Sequence, residues 1–178
     1  MGSVRIQSGQ YRNRQVAFLD DVGIRPTGSR VRKILFDWLR MNLDGKKCLD
    51  LFSGSGILAF EAVSEGAKSI LCIEQNQLSC QYINKAASKL GDVNIRVMCH
   101  SIPCDIDETF DVCFMDPPFG DEALRQQSIQ WLINRQVLAV GGLLYIESGT
   151  MLEDIEGFSQ IKCKRVGQVW MHLYKREL

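Results

Sequence analysis

The 178-residue chain predicts an α/β fold, a three-layer sandwich in which helices cover both faces of a mostly parallel sheet. Three observations carry that expectation. Short apolar runs alternate with helix-compatible segments along most of the chain. Each run is hydrophobic throughout rather than at every second residue, as strands covered on both faces require. Two further strand-like runs close the chain with no room for a helix between them, so they read as an antiparallel pair. At about 150 residues per domain the length allows one such sandwich.

The elements follow in order. Val4-Arg5-Ile6 and Gln15 to Phe18 flank the polar stretch QSGQYRNR and read as a small hairpin. It is assigned to residues 1–22, ahead of a main domain over 23–178. Gly23 to Gly28 form a loop in which Pro26 disfavours helix at Arg25. Thr27 or Ser29 is placed to cap a helix whose apolar stripe is Val31, Ile34, Leu35, Trp38 and Leu39, and Asp44-Gly45 stops it. The strand-like runs are KCLDLF (47–52), SILCIE (69–74), NIRVM (94–98), FDVCFMD (110–116) and LLYIES (143–148), with helices predicted near 56–65, 76–90 and 121–138. FSQIKCKRV and QVWMHLYKR form the closing pair around Gly167. There, Val169, Met171 and Leu173 alternate with Trp170, His172 and Tyr174, as in a strand with both faces covered.

Composition narrows the function classes. Hydrophobic residues are 46% and charged residues 24%, which excludes a disordered chain. No apolar run approaches the roughly 20 residues of a membrane span, and the first residues lack the apolar core of a secretory signal. The expected location is the cytoplasm. Seven cysteines without a C-x-x-C pair suit neither a disulfide scaffold nor structural zinc, so they read as small buried hydrophobes and no metal is expected. Net charge is zero, yet residues 1–33 carry +5, residues 161–178 carry +4 and the middle carries -9. Basic ends on an acidic body suit a localised polyanion contact, although solvated termini would give the same pattern.

Open α/β sheets bind ligands beyond the carboxyl ends of their strands, and three such ends are unusual. Asp50-Leu51-Phe52-Ser53-Gly54-Ser55-Gly56 is a tight strand–helix turn, whose glycines let backbone approach a ligand. Glu74 closes the next strand, where a carboxylate can accept both hydroxyls of a ribose. Together they favour a nucleoside cofactor. Asp116-Pro117-Pro118-Phe119 leaves the fourth strand as a stiff corner without amide donors. The Asp116 carboxylate and the Pro117 carbonyl can accept the two N–H bonds of a planar amine while Phe119 stacks on its ring.

These residues resemble a known family. D-L-F-S-G-S-G with the acid at 74 looks like motif I of the class I S-adenosylmethionine (AdoMet) methyltransferases, and Asp-Pro-Pro-Phe looks like the motif IV of enzymes that methylate amino or amide nitrogens. More narrowly, RIQSGQYRNRQVAF, RPTGSRVRKILFDWL, LDLFSGSGILAFEA, MDPPF, YIES and VGQVWMHLYKRE resemble the RsmD family, 16S rRNA guanine-N2 methyltransferases. The resemblance implies a Rossmann-like fold with a seven-stranded sheet, an antiparallel C-terminal pair and an N-terminal hairpin. It implies AdoMet as methyl donor. The implied acceptor is a guanine of 16S rRNA within the small ribosomal subunit or its assembly intermediate, served by a monomeric enzyme.

Carried onto this chain, the resemblance places Asp50, Phe52, Gly54 and Gly56 around AdoMet and Glu74 on its ribose. Thr27 and Arg30 fall in the segment that closes over the methionine end, and Arg5, Arg12 and Arg14 in a hairpin expected to touch rRNA phosphates. Relatives often have Asp or Asn for the adenine amine where this chain has Cys99-His100-Ser101, so Ser101 is the expected substitute. Gly28 and Ser29 replace a Thr-Asp common in relatives. Three competing readings remain: an N-methyltransferase acting on adenine N6 or protein glutamine, a silent AdoMet- or RNA-binding partner, and an NAD dehydrogenase. The missing third glycine of the turn disfavours the last.

Overall fold

A computed structural model describes residues 1–20, 26–91, 93–118 and 120–178. Residues 23–25 of the 23–28 loop predicted from Pro26 lie outside the described residues, as does Phe119. Strands β1 (Gly2–Arg5) and β2 (Gln15–Phe18) pair antiparallel as the predicted hairpin. Then follow α1 (Ser29–Leu39), β3 (Lys47–Asp50), α2 (Ile57–Ser64), β4 (Ser69–Glu74), α3 (Gln77–Leu90), β5 (Ile95–Cys99), β6 (Phe110–Met115), α4 (Glu122–Asn134), β7 (Leu138–Ser148), β8 (Phe158–Val166) and β9 (Val169–Arg176). The seven-stranded sheet has the order β5-β4-β3-β6-β7-β9-β8. It is parallel from β5 to β7 and antiparallel from β7 to β8.

Two core layers cover its faces. One holds α1, α2, α3 and the hairpin, with Leu35, Phe60, Ile83 and Phe114 among the buried side chains. The other holds α4 and the helix-free segment before β6, with Ile102, Ile106, Trp131 and Leu132. Among the described residues no helix is long and apolar enough to cross a membrane. Five cysteines are buried; Cys99 and Cys163 are exposed.

Several predicted boundaries move, each for a local reason. Neither Thr27 nor Ser29 caps α1: Gly28 holds the N-cap position, with no side-chain cap bond. The buried stripe is Val31, Arg32, Leu35, Phe36 and Leu39. Ile34 and Trp38 sit at its half-buried border, because the helix is rotated to bring Phe36 onto Phe114, ring centroids 6.1 Å apart. The first sheet strand ends at Asp50, where the chain turns. The helix predicted to reach 138 ends at Asn134, and Gln136 turns at φ 53° into a strand β7 that starts at Leu138 rather than 143.

The hairpin is built into the main core. Every residue of α2 is buried, an apolar helix that needs covering on its outer side as well. The hairpin supplies that cover. Ile6 and Val16 enter the same core layer, and Gln10 and Tyr11 donate backbone N–H bonds to the Ser64 carbonyl and hydroxyl, 2.8 and 2.9 Å. Contact is so close at Gly9, φ 76°, that a Cβ there would stand 1.9 Å from the Ser64 carbonyl oxygen.

A buried ion pair locks the junction. Arg32 of α1 bonds Glu61 of α2 and is 3% exposed, Glu61 1%. The same guanidinium donates to the Arg5 carbonyl, 2.9 Å, and to the Thr27 carbonyl, 3.1 Å. Glu61 also accepts the Gln7 amide, 3.0 Å.

Candidate active site

A cleft of about 950 Å³ opens at the carboxyl ends of the parallel strands. Its lining brings together Thr27, Asp50, Phe52, Gly54, Glu74, Ser101, Asp116, Pro117 and Pro118, all chosen from sequence. Arg30 and Gly56 are not in the lining: Arg30 is exposed on the first turn of α1. Arg5, Arg12 and Arg14 are exposed on or beside the hairpin, away from the lining.

The two glycines of the turn do different things. Gly56 adopts φ 76°, and a Cβ there would press on Ile83 at 2.9 Å and Phe60 at 3.2 Å, so this glycine lets the turn pack on α3. Gly54 is also left-handed, at φ 51°, but a Cβ there would meet nothing within 4 Å; it opens on the cleft. The Gly54 amide donates to Glu74, 2.8 Å, and the other Glu74 oxygen accepts from Asn76, 2.8 Å. Two backbone bonds therefore aim the Glu74 carboxylate before any ligand arrives.

The cleft floor is strongly acidic. Asp50, Asp116 and Glu147 stand at or just beyond the ends of the adjacent strands β3, β6 and β7. Asp50 is 1% exposed and, among the described residues, neither carboxylate oxygen meets a donor in good geometry. Burial, reinforced by the charge of Asp116, pushes it up to about 8. Burial likewise raises Asp116 to about 6, against the opposing pull of a hydrogen bond from the Thr27 side chain. Glu147 rises to about 8 through burial and the neighbouring Asp116, although the Tyr145 hydroxyl donates to it at 2.8 Å. Arg125 is the only Arg or Lys in the lining among the described residues. Buried acids short of cations make a site that favours a positively charged ligand.

These carboxyls hold protons in the folded protein that the unfolded chain gives up, so ligand-free stability falls as pH rises from about 4 to about 8. The loss is on the order of a few kcal/mol across that window. Thermal unfolding between pH 5.5 and 8.5 in the wild type and in Asp50→Asn checks it; the variant should show the shallower fall.

At the Asp116–Pro118 corner, Pro117 is buried and Pro118 exposed. The Pro118 carbonyl is occupied by the Asp121 amide, 3.1 Å, and no described residue donates to the Pro117 carbonyl. Thr27, expected to cap α1, instead places its side chain where it favours the ionised Asp116 carboxylate. Sequence reasoning missed Tyr145, Glu147 and Arg125 as site residues. The acid ending YIES was visible by the criterion that selected Glu74, an acid at a strand tip; Arg125, in the middle of a helix, left no comparable signal.

A doubly covered parallel sheet with an antiparallel C-terminal pair and this cleft defines a class I methyltransferase. The family described as Conserved hypothetical protein 95 matches residues 4–175. Ribosomal RNA small subunit methyltransferase D of Escherichia coli K12 is 35% identical over 182 residues, covering 99% of this chain and 91% of that protein. Its namesake from Haemophilus influenzae is 34% identical over 183 residues, covering 98% and 94%. The solved structure titled "Putative methyltransferase yhhF from Escherichia coli" superposes with a TM-score of 0.89 at 34% identity and covers 99% of both chains. The chain belongs to the Conserved hypothetical protein 95 family, the RsmD family its motifs resemble.

Proposed function

We propose that the protein transfers a methyl group from AdoMet to the exocyclic N2 amine of one guanine of 16S rRNA, acting as a monomer on the small ribosomal subunit or its assembly intermediate. The observation that carries this is the shared cleft: the Asp116–Pro117 corner lies on the same floor as the Gly54 turn, the oriented Glu74 and the unpaired Asp50. When bound, AdoMet supplies an electrophilic methyl group on a positively charged sulfur. Residues Thr27, Asp50, Phe52, Gly54, Glu74 and Ser101 would hold it; the cleft's acidity and the space at Gly54 suit such a cation.

The chain's own groups do the rest. Asp116 and the Pro117 carbonyl accept the two N–H bonds of the guanine amine and hold its nitrogen toward the cofactor. That matters because this amine is a weak nucleophile, its lone pair delocalised into the ring, and alignment supplies a large share of the acceleration. Asp116, raised toward neutrality, is suited to taking the proton the amine sheds. RNA is the acceptor favoured by kinship: relatives 34% and 35% identical over nearly the whole chain are named ribosomal RNA methyltransferases. A hairpin suits a target whose shape is preset by a folded particle.

The test is incubation with labelled AdoMet and 30S particles lacking the modification, followed by mapping of the labelled base, with free rRNA, duplex DNA and a protein acceptor alongside. Label is expected at guanine N2 of 16S rRNA. Label on adenine or protein instead would overturn the proposal.

A further inference from the structure

The hairpin and the cleft leave unexplained the positive charge near the chain's end. Lys162 and Lys164 occupy alternate positions of β8 and so share one face of the sheet. It is the face that carries α1: the Lys162 ammonium lies 5.8 Å from the centre of the Trp38 ring, and Val166, next in that alternation, packs against the core layer with Ile34 and Trp38. Arg30 stands four residues before Ile34 and eight before Trp38, hence on the same helix stripe at the cleft end.

The seam between α1 and β8 runs to the cleft mouth. Val166 pairs with Val169, which lines the cleft beside Gln168, and Thr27 and Gly28 line it just before α1. Arg30, Lys162 and Lys164 are exposed, and none forms an ion pair among the described residues. The hairpin reaches the same place, with the Gln7 side-chain amide donating to the Ser29 carbonyl, 3.0 Å. The acidic segment before β8 is carried to the other layer, where Leu152 and Ile155 pack.

We propose that this seam is a second phosphate-binding track, on which Arg30, Lys162 and Lys164 hold the sugar–phosphate backbone of RNA as it passes from the hairpin across the cleft mouth. The inference rests on RNA being the acceptor. It sets Lys162 and Lys164 on the same side of the molecule as the basic hairpin. The contacts are to phosphate, so they position the RNA and do not read its sequence.

The test measures binding to unmethylated 30S particles over a range of salt concentrations. Lys162→Gln/Lys164→Gln, which keeps a long side chain over Trp38, should make the log–log salt slope shallower by about 1 to 2 and weaken binding roughly tenfold near physiological salt. AdoMet affinity should not change. Arg30→Gln, at an exposed helix position, should give a smaller shift of the same kind. Lys47→Gln/Lys175→Gln removes equal charge at the opposite rim and should leave the slope unaltered. If the seam variants bind like wild type while Arg12→Glu/Arg14→Glu loses affinity, the seam is wrong and the RNA acceptor stands. If the wild type binds neither 30S particles nor 16S rRNA, the acceptor reading fails and the seam with it.

Discussion

An Asp116→Ala enzyme is expected to lose methyl transfer by about a thousandfold or more while binding AdoMet within a few-fold of wild type. Under the proposed mechanism the change removes one of the two acceptors that fix the amine and the base that takes its proton, so alignment and proton removal fail together. Cofactor affinity survives for an electrostatic reason. Asp116 is a cause of the upward shift of both Asp50 and Glu147. Without its charge those two carboxyls ionise more readily, and the floor keeps enough negative charge to receive a cation. Tritium transfer from labelled AdoMet, paired with calorimetry of AdoMet binding, measures the two quantities separately. Near-normal turnover would remove Asp116 from the mechanism.

The second large effect is on stability. Arg32→Met alone should cost about 3–5 kcal/mol, because it leaves the Glu61 carboxylate buried without its counter-ion. At this chain length that lowers Tm by roughly 10 °C. Arg32→Met/Glu61→Leu should recover most of the loss, since a buried ion pair is often replaceable by apolar groups of similar volume. Recovery of stability should not bring full recovery of activity. The Arg32 guanidinium grips the Arg5 and Thr27 carbonyls, and the Thr27 side chain bonds Asp116. The double variant is thus expected to melt near wild type yet turn over more slowly at saturating AdoMet. Thermal unfolding and kcat decide it; a double variant as unstable as the single one would contradict the desolvation account.

Much of this was legible in the residues. Strand positions followed from uniformly apolar runs, and the cleft from three unusual strand ends, because both depend on neighbours within a few positions. What escaped depends on distant chain. Arg32 and Glu61 look like ordinary surface charges on helices; they are buried because a hairpin more than forty residues before Glu61 folds over α2. Thr27 looked like a helix cap because its distant partner, Asp116, could not be seen from the local sequence. The demanding environment of Asp50 was equally hidden, since its missing donors are a property of the assembled floor. The border shift on α1 came from Phe36 meeting Phe114, again a long-range contact.

The placement of β8 at the end of the sheet has a consequence for self-association. A terminal strand offers an unpaired row of backbone donors and acceptors on which another chain can add a strand of its own. Here that row carries Lys162, Lys164 and Arg165. Two copies approaching rim to rim would set like charges against each other. The rim thereby resists growth into extended, cross-molecule sheets without the need for a covering loop.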